Sequence, residues 1–310
     1  MSLAKNTKRA YSAGEIQYIN FCRGFQVNPA LPATENVLSN FAVFLARTVK
    51  HTTIKRYLFG VKNFHLKNNF QLELSNFHQL QYLLRGIKRS QGNMLARPRL
   101  PITMTHLRLF KEFLQPETTK HHDNIMLWAA ICTAFFGFLR ISEFTHEQSQ
   151  RFHSTTLNDN DITFCPSLAT ATSVNINIKT SKTDPFRKGM QIILGATGAK
   201  ICPVKALQLY FKTKNSPISG PLFSYQNGKP LSRKSFTEDV RNLLSMGGLE
   251  PTHYAGHSFR IGAATTAGAA KIPTWLIKTL GRWSSDCFET YIRTPRKTLI
   301  EASQRLARQS

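Results

Sequence analysis

Acidic residues are scarce in this chain. Its 310 residues include 17 Asp and Glu against 41 Lys and Arg, a formal charge of +24. That excess is more than solubility requires, and it points to a polyanionic partner, nucleic acid before an anionic membrane surface. It does not come from one basic tail. Residues 1–100 hold 15 basic and 3 acidic side chains, leaving 26 and 14 for the remainder, so each part carries +12. Cysteine is sparse as well: Cys22, Cys132, Cys165, Cys202 and Cys287 are odd in number, scattered and without a CxxC pair, which argues against a disulfide framework or zinc ribbon and for a reducing compartment. A long hydrophobic run is also missing. The longest, Ile125 to Leu139, is too short to span a bilayer and runs into Arg140, so it reads as a buried helix with the arginine at its end, and no membrane partner is expected. The polar, basic first residues predict no signal peptide.

With 41% hydrophobic residues the chain can bury a sizeable core, and its length predicts two domains. Apolar periodicity predicts helices over 11–25, 35–49, 52–66 and 76–89, a bundle with a basic exterior. The string LARPRLPI (95–102) is a stiff basic connector, which sets the domains at 1–98 and 99–310. Beyond it, helices are predicted near 105–114 and 124–140, then a β-rich stretch over 161–194. There Val174, Ile176 and Ile178 alternate with polar residues, a turn covers 180–189, and 191–194 returns. Further helices are predicted over 203–212, after a capping box of Ser235 and Glu238, over 257–269, over 273–280 closed by Gly281, and over 285–292. The class is mainly α with a small β-sheet.

Four strings carry candidate chemistry: FFGFLRISEF (135–144), IKTSKTD (178–184), HSFRIGAATTAG (257–268) and LGRWSSDCFETYIR (280–293). Each is weak alone, since an arginine ending a helix, a core histidine or a packed aromatic is commonplace. Their ordered set resembles the box motifs of the tyrosine recombinases, or phage integrase family, over nearly the whole chain. The bundle and LLRGIKR (83–89) further resemble recombinases of eukaryotic mobile elements.

The resemblance implies a SAM-like helical core-binding domain that grips DNA, followed by a mixed α/β catalytic domain. It implies cleavage and rejoining of double-stranded DNA through a 3′-phosphotyrosine on Tyr291, with Arg140, Lys182, His257, Arg260 and Trp283 around the phosphate and Glu143 in support. It also implies self-assembly into a dimer or tetramer on DNA and, through the eukaryotic elements, a nuclear location. The residue types fit such chemistry. A phenol attacking a phosphodiester builds up negative charge in the transition state. Arginine forks donate to two phosphate oxygens and stay charged at any working pH. Arg260 lies one turn beyond His257, so both can meet one anion, and Glu143 stands at pairing distance from Arg140.

Two positions stay open. The family's hairpin lysine, which protonates the leaving 5′ oxygen, resembles Lys182, with Lys179 as the alternative. Its His/Trp residue lies nine before the tyrosine, which here is Arg282, whereas indole chemistry favours Trp283 at eight. No GxxxxGK[ST] string provides a nucleotide cradle, and His253 and His257 lack the HExxH glutamate. Neither cofactor nor metal is expected, because one phosphodiester is exchanged for another. Two rival readings are a DNA-binding protein that has lost catalysis and a type IB topoisomerase-like activity.

Overall fold

The computed structural model describes residues 5–28, 30–92, 99–118, 121–147, 155–181, 184, 188–214, 220–293, 300, 304 and 307. The chain divides into two compact units, Met1–Ala96 and Arg97–Ser310. Among the described residues no helix is long and apolar enough to cross a membrane.

The first unit holds α1 (Lys5–Gly24), α2 (Glu35–Ala46), α3 (His51–Lys67), a 3₁₀ turn (Leu74–Asn76) and α4 (His78–Gln91). Tyr18, Leu38, Phe41, Ile54, Val61 and Leu80 meet in its core with essentially no exposed surface. Two glycines let α1 and α3 touch backbone to backbone: a Cβ on Gly14 would sit 2.6 Å from the Tyr57 carbonyl, and one on Gly60 2.6 Å from that of Tyr11. Polar side chains sew the helix ends. Glu35 Oε1 accepts from the Leu80 amide at 2.9 Å, while Gln91 accepts from the His51 amide and donates to the carbonyls of Ala46 and Val49.

The second unit is built on α6 (His122–Phe136), in which every residue from Ile125 to Phe135 is buried. Against it pack α5 (Met104–Leu114), α8 (Pro203–Thr213) and α10 (His257–Ala269). The four-residue α7 (Ile141–Phe144) follows α6, and α9 (Arg233–Met246), α11 (Thr274–Gly281) and 3₁₀ turns at Asp159–Asp161, Pro251–His253 and Asp286–Tyr291 complete the helical set described. Strands β1 (Ile162–Cys165), β2 (Ser173–Ile178) and β3 (Met190–Gly195) form an antiparallel sheet in sequence order, with Ile176 opposite both Ile162 and Ile192. The period-2 pattern is realised: Val174, Ile176 and Ile178 face the core.

Four sequence expectations need correction. The helix expected to reach Arg140 stops at Phe136. Gly137 caps it, Phe138 turns left-handed (φ 48°), and Arg140 is extended at the N-cap of α7. The apolar run outlasts the helix because Phe138 and Leu139 are buried without being helical. The cap of α9 is Ser232, whose Oγ accepts from the Ser235 amide at 3.0 Å; Glu238 lies a turn further on, across from Lys234. The left-handed residue ending α11 is Arg282 (φ 56°), not Gly281, whose missing Cβ leaves room for the Trp283 ring. The segment before Ile292 is 3₁₀ rather than α.

Candidate active site

The site grows out of the break after α6. Because Arg140 is extended, its amide is an orphan donor at the start of α7, and Glu143 three residues on turns back to accept it at 2.9 Å. The other Glu143 oxygen accepts from Arg140 Nη1 at 3.1 Å. A second guanidinium reaches the same carboxylate from the far end of the unit: Arg282 Nη2 lies 2.9 Å from Glu143 Oε2 and also donates to the Phe138 carbonyl at 3.1 Å. The left-handed turn at Phe138 therefore aims its carbonyl inward, and Arg260 Nη1 donates to it as well, at 2.6 Å. Arg260 Nη2 completes the link by donating to the Gly281 carbonyl.

From Arg260 the chain of contacts runs to the tyrosine. The guanidinium lies 4.2 Å from the centre of the Trp283 ring, a cation–π arrangement. The Trp283 ring stacks on Tyr291, with centroids 5.6 Å apart and planes 27° from parallel. His257, one turn before Arg260 on α10, meets Tyr291 edge to face at 5.0 Å. Thr265, two turns beyond His257 on the same face, donates its hydroxyl to the Tyr291 carbonyl at 3.0 Å and accepts from the Arg293 amide at 3.2 Å.

Two guanidiniums thus share one carboxylate, and the third, Arg260, shares the Phe138 carbonyl with Arg282, an excess of two positive charges among these four side chains. Arg260 and Arg282 are buried, while Arg140 is only half-buried. Burial first, then the neighbouring charges of Arg140 and Arg282, pushes the Arg260 pKa down to about 9, which leaves it cationic at neutral pH. Burial likewise lowers that of Arg282, against the pull of Glu143. His257 is open to solvent at its rim, yet desolvation by the surrounding protein, followed by the charges of Arg260 and Arg140, lowers its pKa and favours the neutral imidazole. A guanidinium has five N–H donors. Arg260 gives two of them to carbonyls, so the cluster retains capacity for an anion.

Of the residues expected from sequence, Arg140, Glu143, His257, Arg260, Trp283 and Tyr291 come together here, and Arg282 joins them. Lys182 lies outside the described residues. Its neighbours Ser181 and Asp184 line a cavity of about 660 Å³ between the β2–β3 turn and α11, and Arg282 and Trp283 line the same cavity. Lys179 is engaged elsewhere, 2.8 Å from the buried Asp161 carboxylate. Sequence reasoning missed Thr265, whose signal was its spacing from His257, and the Phe138 carbonyl, a backbone group that leaves only Gly137 as a hint.

No family model matches the chain. A curated protein from the bacterium Selenomonas ruminantium, an integrase/recombinase XerD homolog, is 28% identical over 293 residues, covering 92% of this chain and 80% of that protein. Solved structures share the fold. The XerH site-specific recombinase in its post-cleavage complex with palindromic difH substrate superposes with a TM-score of 0.65 at 17% identity, over 96% of this chain and 78% of that one. The Tn1549 transposon integrase in complex with a circular intermediate DNA gives 0.58 at 13% identity, over 96% and 99%. A lambda integrase dimer bound to a COC′ core site gives 0.56 at 13%, over 94% and 90%. The bacterial relative lends nothing to the nuclear location, and these comparisons give the resemblance to eukaryotic elements no support. Ordered motifs, a relative aligned along nearly the whole chain and the shared fold agree in likening the chain to the tyrosine recombinases, or integrases.

Proposed function

We propose that this protein breaks and rejoins strands of duplex DNA, with Tyr291 as the nucleophile. The Tyr291 Oη attacks phosphorus, the bond to the 5′ oxygen breaks, and a 3′-phosphotyrosine and a free 5′ hydroxyl result. A 5′ hydroxyl from a partner strand then reverses the step and releases the tyrosine. One phosphodiester replaces another of similar energy, so no nucleotide is consumed.

The observation that carries this reading is the meeting of Tyr291 with His257, Trp283 and Arg260 beside a cluster holding two uncompensated positive charges. A phosphodiester carries one negative charge and its pentacoordinate transition state two, so fixed cations in excess favour the transition state over the ground state. Arg140 and Arg260 are assigned to the non-bridging oxygens. A neutral His257 accepts the phenolic proton or donates to phosphate. The Trp283 indole N–H serves as a further donor, and its ring sets the angle of the nucleophile. Lys182 is assigned as the acid that protonates the leaving 5′ oxygen, a role for which Lys179, held by Asp161, is worse placed. Residues 1–98 act as a DNA-binding clamp and 99–310 as the catalytic domain, working as a dimer or tetramer on DNA.

Tyr291→Phe tests the reading. On a nicked suicide duplex the unaltered protein should form a covalent adduct visible on a denaturing gel. The variant should form none while binding the duplex with nearly unchanged affinity. An undiminished adduct in the variant would exclude Tyr291 as the nucleophile.

A further inference from the structure

Arg282 stands nine residues before Tyr291, where a group that touches the phosphate is expected by spacing, yet the structure turns it away from solvent. Its side chain is 4% exposed. Its Nη2 is occupied by Glu143 Oε2 and the Phe138 carbonyl. Its Nε and Nη1 are buried and have no hydrogen-bond partner. No nitrogen of this guanidinium is thus both exposed and uncommitted. The atoms it holds, however, are the ones that hold the other two arginines: Glu143 also binds Arg140, and the Phe138 carbonyl also binds Arg260.

We propose that Arg282 is a positioning residue, the hub that fixes Arg140 and Arg260 relative to each other, and that it does not touch the DNA phosphate. Its left-handed backbone is part of the device. That conformation reverses the chain directly after α11 and sends the side chain back under Phe138 rather than out along the helix axis. An arginine suits the task where a histidine or tryptophan does not, because a single terminal nitrogen with two hydrogens can serve a carboxylate and a carbonyl at once. The unpartnered N–H groups mark a site that is not optimised for stability alone, since buried donors are normally satisfied.

This inference rests on the strand-transfer reading, and a double-mutant cycle between Arg282 and Glu143 tests it. Single-turnover adduct formation and duplex affinity would be measured for the unaltered protein, Arg282→Met, Glu143→Gln and the double variant. Each single change should slow adduct formation by about 10²-fold, the scale for losing preorganised transition-state donors, while affinity stays within about two-fold. The double variant should be no more than about three-fold slower than either single one, because residues acting as a unit lose their contribution once. Arg282→Lys retains the charge without the fork, guards against misfolding of the Met variant, and should show the same non-additivity with Glu143→Gln. Multiplicative losses, or an affinity that falls in step with the rate, would mean that Arg282 acts on DNA independently of Glu143 and would overturn the proposal. If the unaltered protein forms no adduct, the strand-transfer reading itself fails. The coupling is then read from thermal unfolding of the same four proteins, where additive shifts would refute the hub.

Discussion

The two compact units treat charge in opposite ways. In the first, no described Lys or Arg is buried, and among its described residues the only buried polar side chain is His65, with a partner on each ring nitrogen. In the second, Glu143, Arg260 and Arg282 are buried together, one carboxylate serves two guanidiniums while the third is held by carbonyls, and part of Arg282 has no partner at all. Removing an ion from water costs several kcal/mol even after relaxation, and breaking even is the best that many buried pairs achieve. Among the described residues the bundle's core thus keeps charge out altogether, whereas the proposed strand transfer makes the arginine cluster half of a complex whose other half is an anion.

The sharpest way to break this contrast is to remove the excess charge. Arg140→Ala and Arg260→Ala should each slow covalent attachment to DNA by about 10²- to 10³-fold, the loss seen when a preorganised anion donor is deleted. Lys182→Ala should cost about 10²- to 10⁴-fold, as expected for a positioned general acid. A bridging 5′ sulfur separates the two roles, because a thiolate leaves without protonation. Cleavage of such a substrate should recover in the lysine variant and not in the arginine variants. Recovery in Lys179→Ala instead would move the acid by one turn of the hairpin.

Much of this arrangement was legible in the sequence. The string from His257 to Gly268 predicts α10 over the residues it occupies, and alternation at Val174, Ile176 and Ile178 predicts the buried face of β2. Motif order brought together Arg140, His257, Arg260 and Tyr291, although they are far apart in the chain. Hydrophobicity could not say where α6 stops, because Phe138 and Leu139 are as buried outside the helix as their neighbours are inside it. Nor could it show that Arg282 turns inward, since that depends on a left-handed backbone and on a carbonyl presented by a residue 144 positions earlier. Charge count alone favours solvent for an arginine. Here tertiary structure overrides that preference because a carboxylate and a carbonyl are already in place.

A smaller effect should separate the glycines of the two units. Gly262 on α10 lies directly under the Ile102 backbone, whose amide donates to the Ser258 carbonyl at 2.9 Å. A Cβ there would overlap the Ile102 carbonyl, so Gly262→Ala should destabilise the protein by about 1–3 kcal/mol, as overpacking against backbone does. Gly86 on α4 has nothing within 4 Å of its added Cβ, and Gly86→Ala should raise stability by about 0.5–1 kcal/mol through helix propensity. Chemical denaturation of both variants checks the pair. Equal effects would mean that the close approach over α10 is not maintained in solution.

The last and mildest test sets two of the depressed histidines, one from each unit, against each other. In the bundle, His65 Nε2 accepts from the Ala33 amide at 2.8 Å while Nδ1 faces the Val61 carbonyl at 2.8 Å, which fixes the neutral tautomer with its proton on Nδ1. Burial lowers its pKa against the opposing Val61 hydrogen bond. A proton added to Nε2 would point at the Ala33 N–H and break that bond. Because the folded value lies below the unfolded one, the unfolded chain binds the proton first as pH falls. The contribution of His65 is complete above the unfolded pKa, about 6.5, and is lost as pH drops from there towards the folded value. His257 is lowered too, but by burial together with Arg260 and Arg140, so an anion bound between those arginines should raise it and leave His65 unmoved. Thermal unfolding between pH 7.5 and 5 should therefore show a smaller loss of stability on acidification in His65→Gln than in the unaltered protein. Imidazole resonances followed with and without a short duplex should show one titration shifting upward and the other fixed. If duplex shifts the His65 titration, the bundle core is not closed, and the contrast between the two units fails at its simpler end.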